Sequence, residues 1–187
     1  AVRAEPGSAA GAFRYYAETC DKSNGDIAPT PPGTLGLIHR EPVGVVGAIV
    51  PWNFPLMIAA WKLAPALAMG NSVVIKPAEV ASMSILRLVE LCHEAGLPDG
   101  VLNVVTGEGA VVGEALGLHG DVDVLLFTGS GGVGRRLLEY SARSNLKRVY
   151  LELGGKSPNV VFEDFANLGK AAKVSAGGIF RDSGQVC

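Results

Sequence analysis

VGVVGAIVPWNFPLMIAAWKLAPALAMGNSVVIKPAE, residues 43–79, decides the fold. It opens with an apolar, β-rich run (43–50) and turns through two prolines that bracket Trp52–Asn53–Phe54. A segment apolar nearly all round follows (56–69), and a second β-rich run, SVVIK (72–76), closes the unit. A helix without a polar face is a buried helix. Strands apolar end to end, joined through helices, belong to a parallel sheet covered on both faces.

The rhythm continues outward. Further strands are expected at VLNVV (101–105), VLLF (124–127), KRVYLEL (147–153) and NVVFE (159–163). Between them, SMSILRLVELCHEAG (82–96) places Ile85, Leu88, Val89 and Cys92 at i, i+3, i+4, i+7, with a serine start and a Gly96–Pro98 stop. Residues 131–144 set Val133, Leu137 and Tyr140 on one helical face, and 164–180 also reads as helical. Upstream, 13–24 reads as a short helix. The stretch 26–36, with Pro29, Pro31 and Pro32 close to glycines, is an extended excursion or edge hairpin, because proline removes donors and fixes φ. The fold expected is α/β: a doubly wound, Rossmann-like parallel sheet with helices on both faces, plus a small excursion hairpin. Residues 1–153 are expected to form one α/β domain, with 26–42 as an extended excursion from it, and 154–187 to begin a second α/β domain.

Composition narrows the function. A net charge of −2 gives no basic field for a polyanion, so no nucleic-acid partner is expected. No apolar run reaches the ~18 residues that span a bilayer, and no basic-then-apolar leader opens the chain. Cys20, Cys92 and Cys187 are odd in number and far apart, which makes neither a disulfide framework nor a metal site. A cytoplasmic protein without a metal is the expectation. The 25 glycines are nearly twice the typical ~7% share and point to tight turns and close backbone approaches.

Several motifs can carry chemistry, each beside a plainer structural reading. GSGGVG (129–134) follows a strand and opens a helix, as a pyrophosphate-binding turn does. On that pattern Glu152, about 20 residues on, is the ribose partner. A glycine-rich chain produces such spacings freely, however, and GEGAVVG (107–113) nearly repeats it. Lys76 and Glu79 of VIKPAE stand at a strand's C-terminal end, where they either hold ribose hydroxyls or form a solvated charge pair. Asn53 is an oxyanion donor if held rigidly in a dry pocket, or an ordinary turn residue. Glu152 is either at the sheet edge or partly buried, the setting a general base uses. Cys187 is a candidate nucleophile, while Cys92 on its apolar helix face, and Cys20 with it, read as inert.

PWNFP (51–55), IKPAE (75–79), FTGSGGVGR (127–135), LELGGKSP (151–158) and GQVC (184–187), in this order and spacing, resemble the aldehyde dehydrogenase superfamily. The likeness runs from about residue 13 to the end. It implies NAD(P)-dependent oxidation of an aldehyde to a carboxylic acid through a cysteine thiohemiacetal and thioester. It assigns Cys187 as nucleophile, Asn53 as oxyanion donor and Glu152 as the base that activates water. It assigns Lys76 and Glu79 to the adenosine ribose, and Ser130, with Gly129 and Val133 beside it, to the pyrophosphate. Pro51, Trp52 and Lys62 fall on positions that line or support the cofactor cleft. The family reading thus overrules the naive one: Glu152 is the base and Glu79 the ribose carboxylate. NAD is expected over NADP, since Glu79 opposes a 2′-phosphate. One departure is visible, in that family members usually carry bulkier polar residues where this chain has Gly131 and Gly132.

A coenzyme A-acylating relative usually lacks the hydrolytic glutamate, so Glu152 argues against that rival. A non-catalytic relative is opposed by the joint presence of Asn53, Glu152 and Cys187. The stretch from HREPVG (39–44) through IKPAE looks most like bacterial enzymes acting on amino-aldehydes. The small-molecule aldehyde is the partner expected, in a parent that forms a homodimer or homotetramer. Ending on its nucleophile, the chain reads as a fragment, inactive by itself because the other wall of the cleft is missing.

Overall fold

The computed structural model describes residues 5–186. Helix α1 (Glu5–Ala17) leads to a two-stranded antiparallel hairpin, β1 (Asp26–Ala28) and β2 (Gly36–Ile38), with Ile27 opposite Leu37. The proline-rich stretch between them cannot join a central sheet, and the hairpin stands apart from it. Then come β3 (Val45–Ile49), α2 (Pro55–Ala68), β4 (Ser72–Lys76), α3 (Met83–Glu94), β5 (Leu102–Val104), α4 (Gly109–Leu118), β6 (Val124–Gly129), α5 (Gly131–Ala142) and β7 (Arg148–Leu153). After β7 the chain runs without a strand to α6 (Leu168–Phe180) and a 3₁₀ turn at Arg181–Gly184.

The five-stranded sheet is parallel throughout, in the order β5–β4–β3–β6–β7. The first three strands step outward from β3, and the chain then returns to build on its other side. That reversal is a topological switch point, located between the C-terminal ends of β3 and β6.

Alternation along β3 supplies a core on each face. Val46, Ala48 and Val50 join Ile58, Leu63, Ile75, Ile85 and Val89 on one side. Ile49 joins Leu116, Leu125, Phe127 and Leu137 on the other. The apolar circumference of α2 follows from being sandwiched: one side meets the sheet and the other meets α1. Gly44, at φ +116°, needs its missing Cβ twice over, because the Asp123 carboxylate occupies that space and accepts a hydrogen bond from Val45 N–H at 2.8 Å.

Four departures from the sequence reading have physical causes. The first helix covers 5–17 rather than 13–24, because packing on α2 rather than local propensity holds it. No strand forms at 159–163: Val160 and Phe162 are exposed, and β-rich composition without a pairing partner makes no ladder. The additional helix α4 occupies much of the glycine-rich stretch that resembled a phosphate loop. Its Gly117 serves packing, since a Cβ there would stand 2.8 Å from the Tyr140 ring on α5. The last helix begins at Leu168 instead of 164, where Asn167 Oδ1 accepts from Lys170 N–H at 2.8 Å.

Leu63 is fully buried between α2 and the sheet. Leu63→Ala is expected to cost about 2–5 kcal/mol, seen as a lower urea midpoint at unchanged slope. A change within about 0.5 kcal/mol, the range of surface substitutions, would contradict this packing.

Candidate active site

Two loops flank the switch point. After β3, Pro51 and Pro55 restrain a turn that presents Trp52, Asn53 and Phe54. After β6, Gly129 leads into Ser130, the N-cap of α5, whose Oγ accepts from Val133 N–H at 3.4 Å. The end of β7 adds Glu152, level with Thr128 of β6 in the ladder. These ends enclose a cleft of about 700 Å³, lined by Pro51, Trp52, Asn53, Gly129, Ser130 and Glu152 among others.

The far end of the chain closes one side. Asn53 Nδ2 donates to the backbone carbonyl of Gln185 at 2.6 Å, across 132 residues of sequence. Gln185 and Val186 line the same cleft, and the Arg181 guanidinium stands 5.9 Å over the Phe54 ring. Cys187 lies outside the described residues, two positions beyond the carbonyl that Asn53 holds.

Lys76 and Glu79 sit together at the end of β4. Lys76 is buried, donates to the Pro77 carbonyl at 2.7 Å and pairs with Glu79 Oε1 at 3.2 Å. Glu79 also accepts from Gly109 N–H at the start of α4. Its carboxyl is held below the usual carboxylate range, chiefly by its own backbone N–H and further by Lys76 and Gly109. Of the sequence alternatives for Glu152, the structure takes the sheet edge: β7 is the outermost strand and Glu152 is exposed.

The GSGGVG glycines divide by role. A Cβ on Gly129 would stand 2.5 Å from the Phe127 ring, so packing excludes a side chain there. Gly132 faces open space and Gly131 meets only the end of Arg135, so both positions have room for larger residues. Val133, on the first turn of α5, is exposed and donates to Ser130.

Lys62 lines a separate groove with Met69, Arg148 and Tyr150, not the cleft itself. Burial lowers its pKa from 10.5 to about 8, and attraction to Glu152 partly offsets that. Burial pushes the Cys92 thiol up, in keeping with an inert helix-face cysteine. Among the described residues, no group of three or more His, Cys, Asp or Glu is placed to hold a metal, and no helix is long and apolar enough to cross a membrane.

The Aldehyde dehydrogenase family model matches residues 1–187. The chain belongs to the aldehyde dehydrogenase family. It is 56% identical over 179 residues to the NADP/NAD-dependent aldehyde dehydrogenase PuuC of Escherichia coli, which covers 96% of this chain and 36% of that protein. The crystal structure of an indole-3-acetaldehyde dehydrogenase complexed with NAD⁺ superposes with a TM-score of 0.94 at 53% identity, covering 96% of this chain and 36% of that one. The gamma-glutamyl-gamma-aminobutyraldehyde dehydrogenase of Burkholderia cenocepacia gives 0.93 at 52%, again over 96% and 36%. The chain therefore spans little more than a third of the length of these dehydrogenases.

Gln185 and Arg181 at the cleft, and Glu5, whose carboxylate accepts from Leu56 and Met57 N–H at the start of α2, were given no role from the sequence. Glu5 and Gln185 each act through a backbone contact across a long sequence separation, which leaves no local pattern to read.

The disfavoured charge on Lys62 sets a pH dependence. The unfolded chain holds this proton up to about 10.5 and the folded chain only to about 8. Stability therefore rises with pH through that window, as it does wherever the unfolded state binds more protons. Nuclear magnetic resonance titration of Lys62 is expected to give a midpoint near 8, and a lower one in Glu152→Gln. An unchanged or higher midpoint in the variant would exclude the Lys62–Glu152 attraction.

Proposed function

We propose that the protein carrying these residues oxidises an aldehyde to a carboxylic acid, with NAD as hydride acceptor. The observation that carries the reading is the junction of Asn53 with Gln185, opposite Glu152 and Ser130 in one cleft at the switch point. Cys187 is the nucleophile, and its thiolate adds to the carbonyl carbon. One N–H of the Asn53 amide anchors it to Gln185. The second remains for the oxyanion, alongside the Cys187 backbone N–H. The thiohemiacetal so formed loses its carbon-bound hydrogen as hydride to become a thioester, and Glu152 deprotonates the water that releases the acid from that thioester.

The residues fit the cofactor. Glu79, charged and half exposed, and the Lys76 ammonium suit two ribose hydroxyls, while the exposed Ser130 hydroxyl and the α5 N-terminus suit a pyrophosphate. The nicotinamide, when bound, supplies hydride acceptance. A 2′-phosphate would meet the Glu79 carboxylate, and that repulsion favours NAD over NADP.

Residues 1–153 are read as the cofactor domain and those from 154 on as the start of the catalytic domain. The exposed Ile27, Leu37 and Ile38 of the β1–β2 hairpin fit a contact between copies in a homodimer or homotetramer. Cys20 and Cys92, both free, fit a cytoplasmic setting. An amino-aldehyde is the substrate class proposed, on the likeness to the Burkholderia enzyme.

The test is pre-steady-state NADH formation by the protein expressed from its complete reading frame, with aliphatic, amino and aryl aldehydes and with both cofactors. Glu152→Gln is expected to keep the NADH burst and lose the steady rate. Asn53→Ala is expected to slow the burst itself by about 10²–10³-fold, as loss of other oxyanion donors does. kcat/KM should be higher with NAD than with NADP. Loss of the burst in Glu152→Gln would move that residue to the acylation step, and equal use of NADP would remove the role given to Glu79.

A further inference from the structure

Two buried charged side chains, Glu5 and Lys147, have no part in the chemistry above, and Glu5 lies beside it. Glu5, the first residue of α1, is only 7% exposed. Carboxylates seldom occupy such positions without dedicated partners. Here the partners are backbone amides: Oε2 accepts from Leu56 N–H at 3.0 Å and from Met57 N–H at 3.2 Å.

Those two donors are the ones that α2 leaves open. Its N-cap residue, Phe54, offers no side-chain acceptor, and Pro55 at the first helical position has no N–H. The Ile58 N–H already reaches the Phe54 carbonyl at 3.0 Å. Leu56 and Met57 therefore carry the orphan donors of the first turn, and one carboxylate oxygen from another helix takes both. The negative charge also sits at the positive end of the α2 dipole, which strengthens both bonds.

The turn so anchored is continuous with the catalytic loop. Asn53 lies immediately before it, and Met57 and Ile58 within it line the same cleft. We propose that Glu5 is a positioning residue that holds the Asn53 amide in place by fixing the first turn of α2 from α1. This rests on reading Asn53 as the oxyanion donor, and it gives the first described helix of the chain a share in transition-state stabilisation. The carboxylate touches neither substrate nor cofactor; it acts through the backbone.

The experiment is a double-mutant cycle in the protein from the complete reading frame. Glu5→Ala and Glu5→Gln are each made alone and with Asn53→Ala, and the NADH burst rate is measured. Glu5→Ala is expected to slow the burst about tenfold, in line with the cost of small misplacements. The KM for NAD should stay within about twofold, since uniform binding is untouched. Glu5→Gln, which keeps an oxygen acceptor, should recover most of the rate. In the Asn53→Ala background, Glu5→Ala should slow the burst no further. Equal slowing in both backgrounds would overturn the proposal, because damage unrelated to Asn53 would then explain it. Amide hydrogen exchange over residues 52–61 reads the anchor without any turnover. It should quicken in Glu5→Ala and stay near the unaltered rate in Glu5→Gln, while β3 and β4 keep their protection. No burst in the unaltered protein rejects the dehydrogenase reading; unchanged exchange in Glu5→Ala rejects the anchor.

Discussion

Strand β3 is hydrogen-bonded on both sides, and its register fixes where everything else stands. Val46, Ala48 and Ile49 face Val73, Ile75 and Lys76 of β4, and also Val124, Leu126 and Phe127 of β6. In that register the C-terminal ends of the strands finish level, so Pro51, Lys76 and Gly129 emerge along one edge of the sheet. A slip of one residue would turn Ala48 and Val50 out of one core and Ile49 out of the other, moving side chains of period two to the wrong layers. Both cores therefore hold the site's geometry as well as the fold. The loops after β3 and β6 can enclose a cleft only because no strand lies between them and the helices that follow them leave on opposite faces.

Within that frame the cleft joins parts of the chain that are remote in sequence. The turn after β3 is bounded by prolines, reaches Gln185 through Asn53, and continues into a helix whose first turn is tied to α1. Glu152 arrives on the outermost strand, where its carboxylate stays exposed to the cleft while Leu151 and Leu153 pack against α5 across the position of Gly134. The Glu79 carboxylate is braced by Lys76 and the α4 N-terminus before any ligand enters. Donors held in fixed positions cost little reorganisation when charge develops, which is the physical basis of catalysis by a rigid polar site.

Much of this was legible in the sequence. The run from 43 to 79 carries a strand, a restrained turn, a buried helix and a strand, and each appears where its pattern places it. Asn53, Ser130 and Glu152 come together in one cleft, with Lys76 and Glu79 paired beside it. What was illegible depends on distant neighbours. The glycines of 107–113 look like a phosphate loop in isolation, yet the stretch 109–118 is a helix whose Gly117 admits the Tyr140 ring. Residues 159–163 have strand composition but no strand to pair with. Glu5 is an ordinary acidic residue until the missing donors of α2, 51 residues away, are counted.

The switch-point cleft and the Lys76–Glu79 pair are proposed to form one continuous dinucleotide site. A crystal structure of the protein from its complete reading frame with NAD⁺ tests it directly. The adenosine ribose hydroxyls are expected within hydrogen-bond distance of Lys76 Nζ and Glu79, the pyrophosphate at Ser130 and the α5 N-terminus, and the nicotinamide between Asn53 and Glu152. A dinucleotide bound elsewhere, or one whose ribose leaves the Lys76–Glu79 pair untouched, would contradict it.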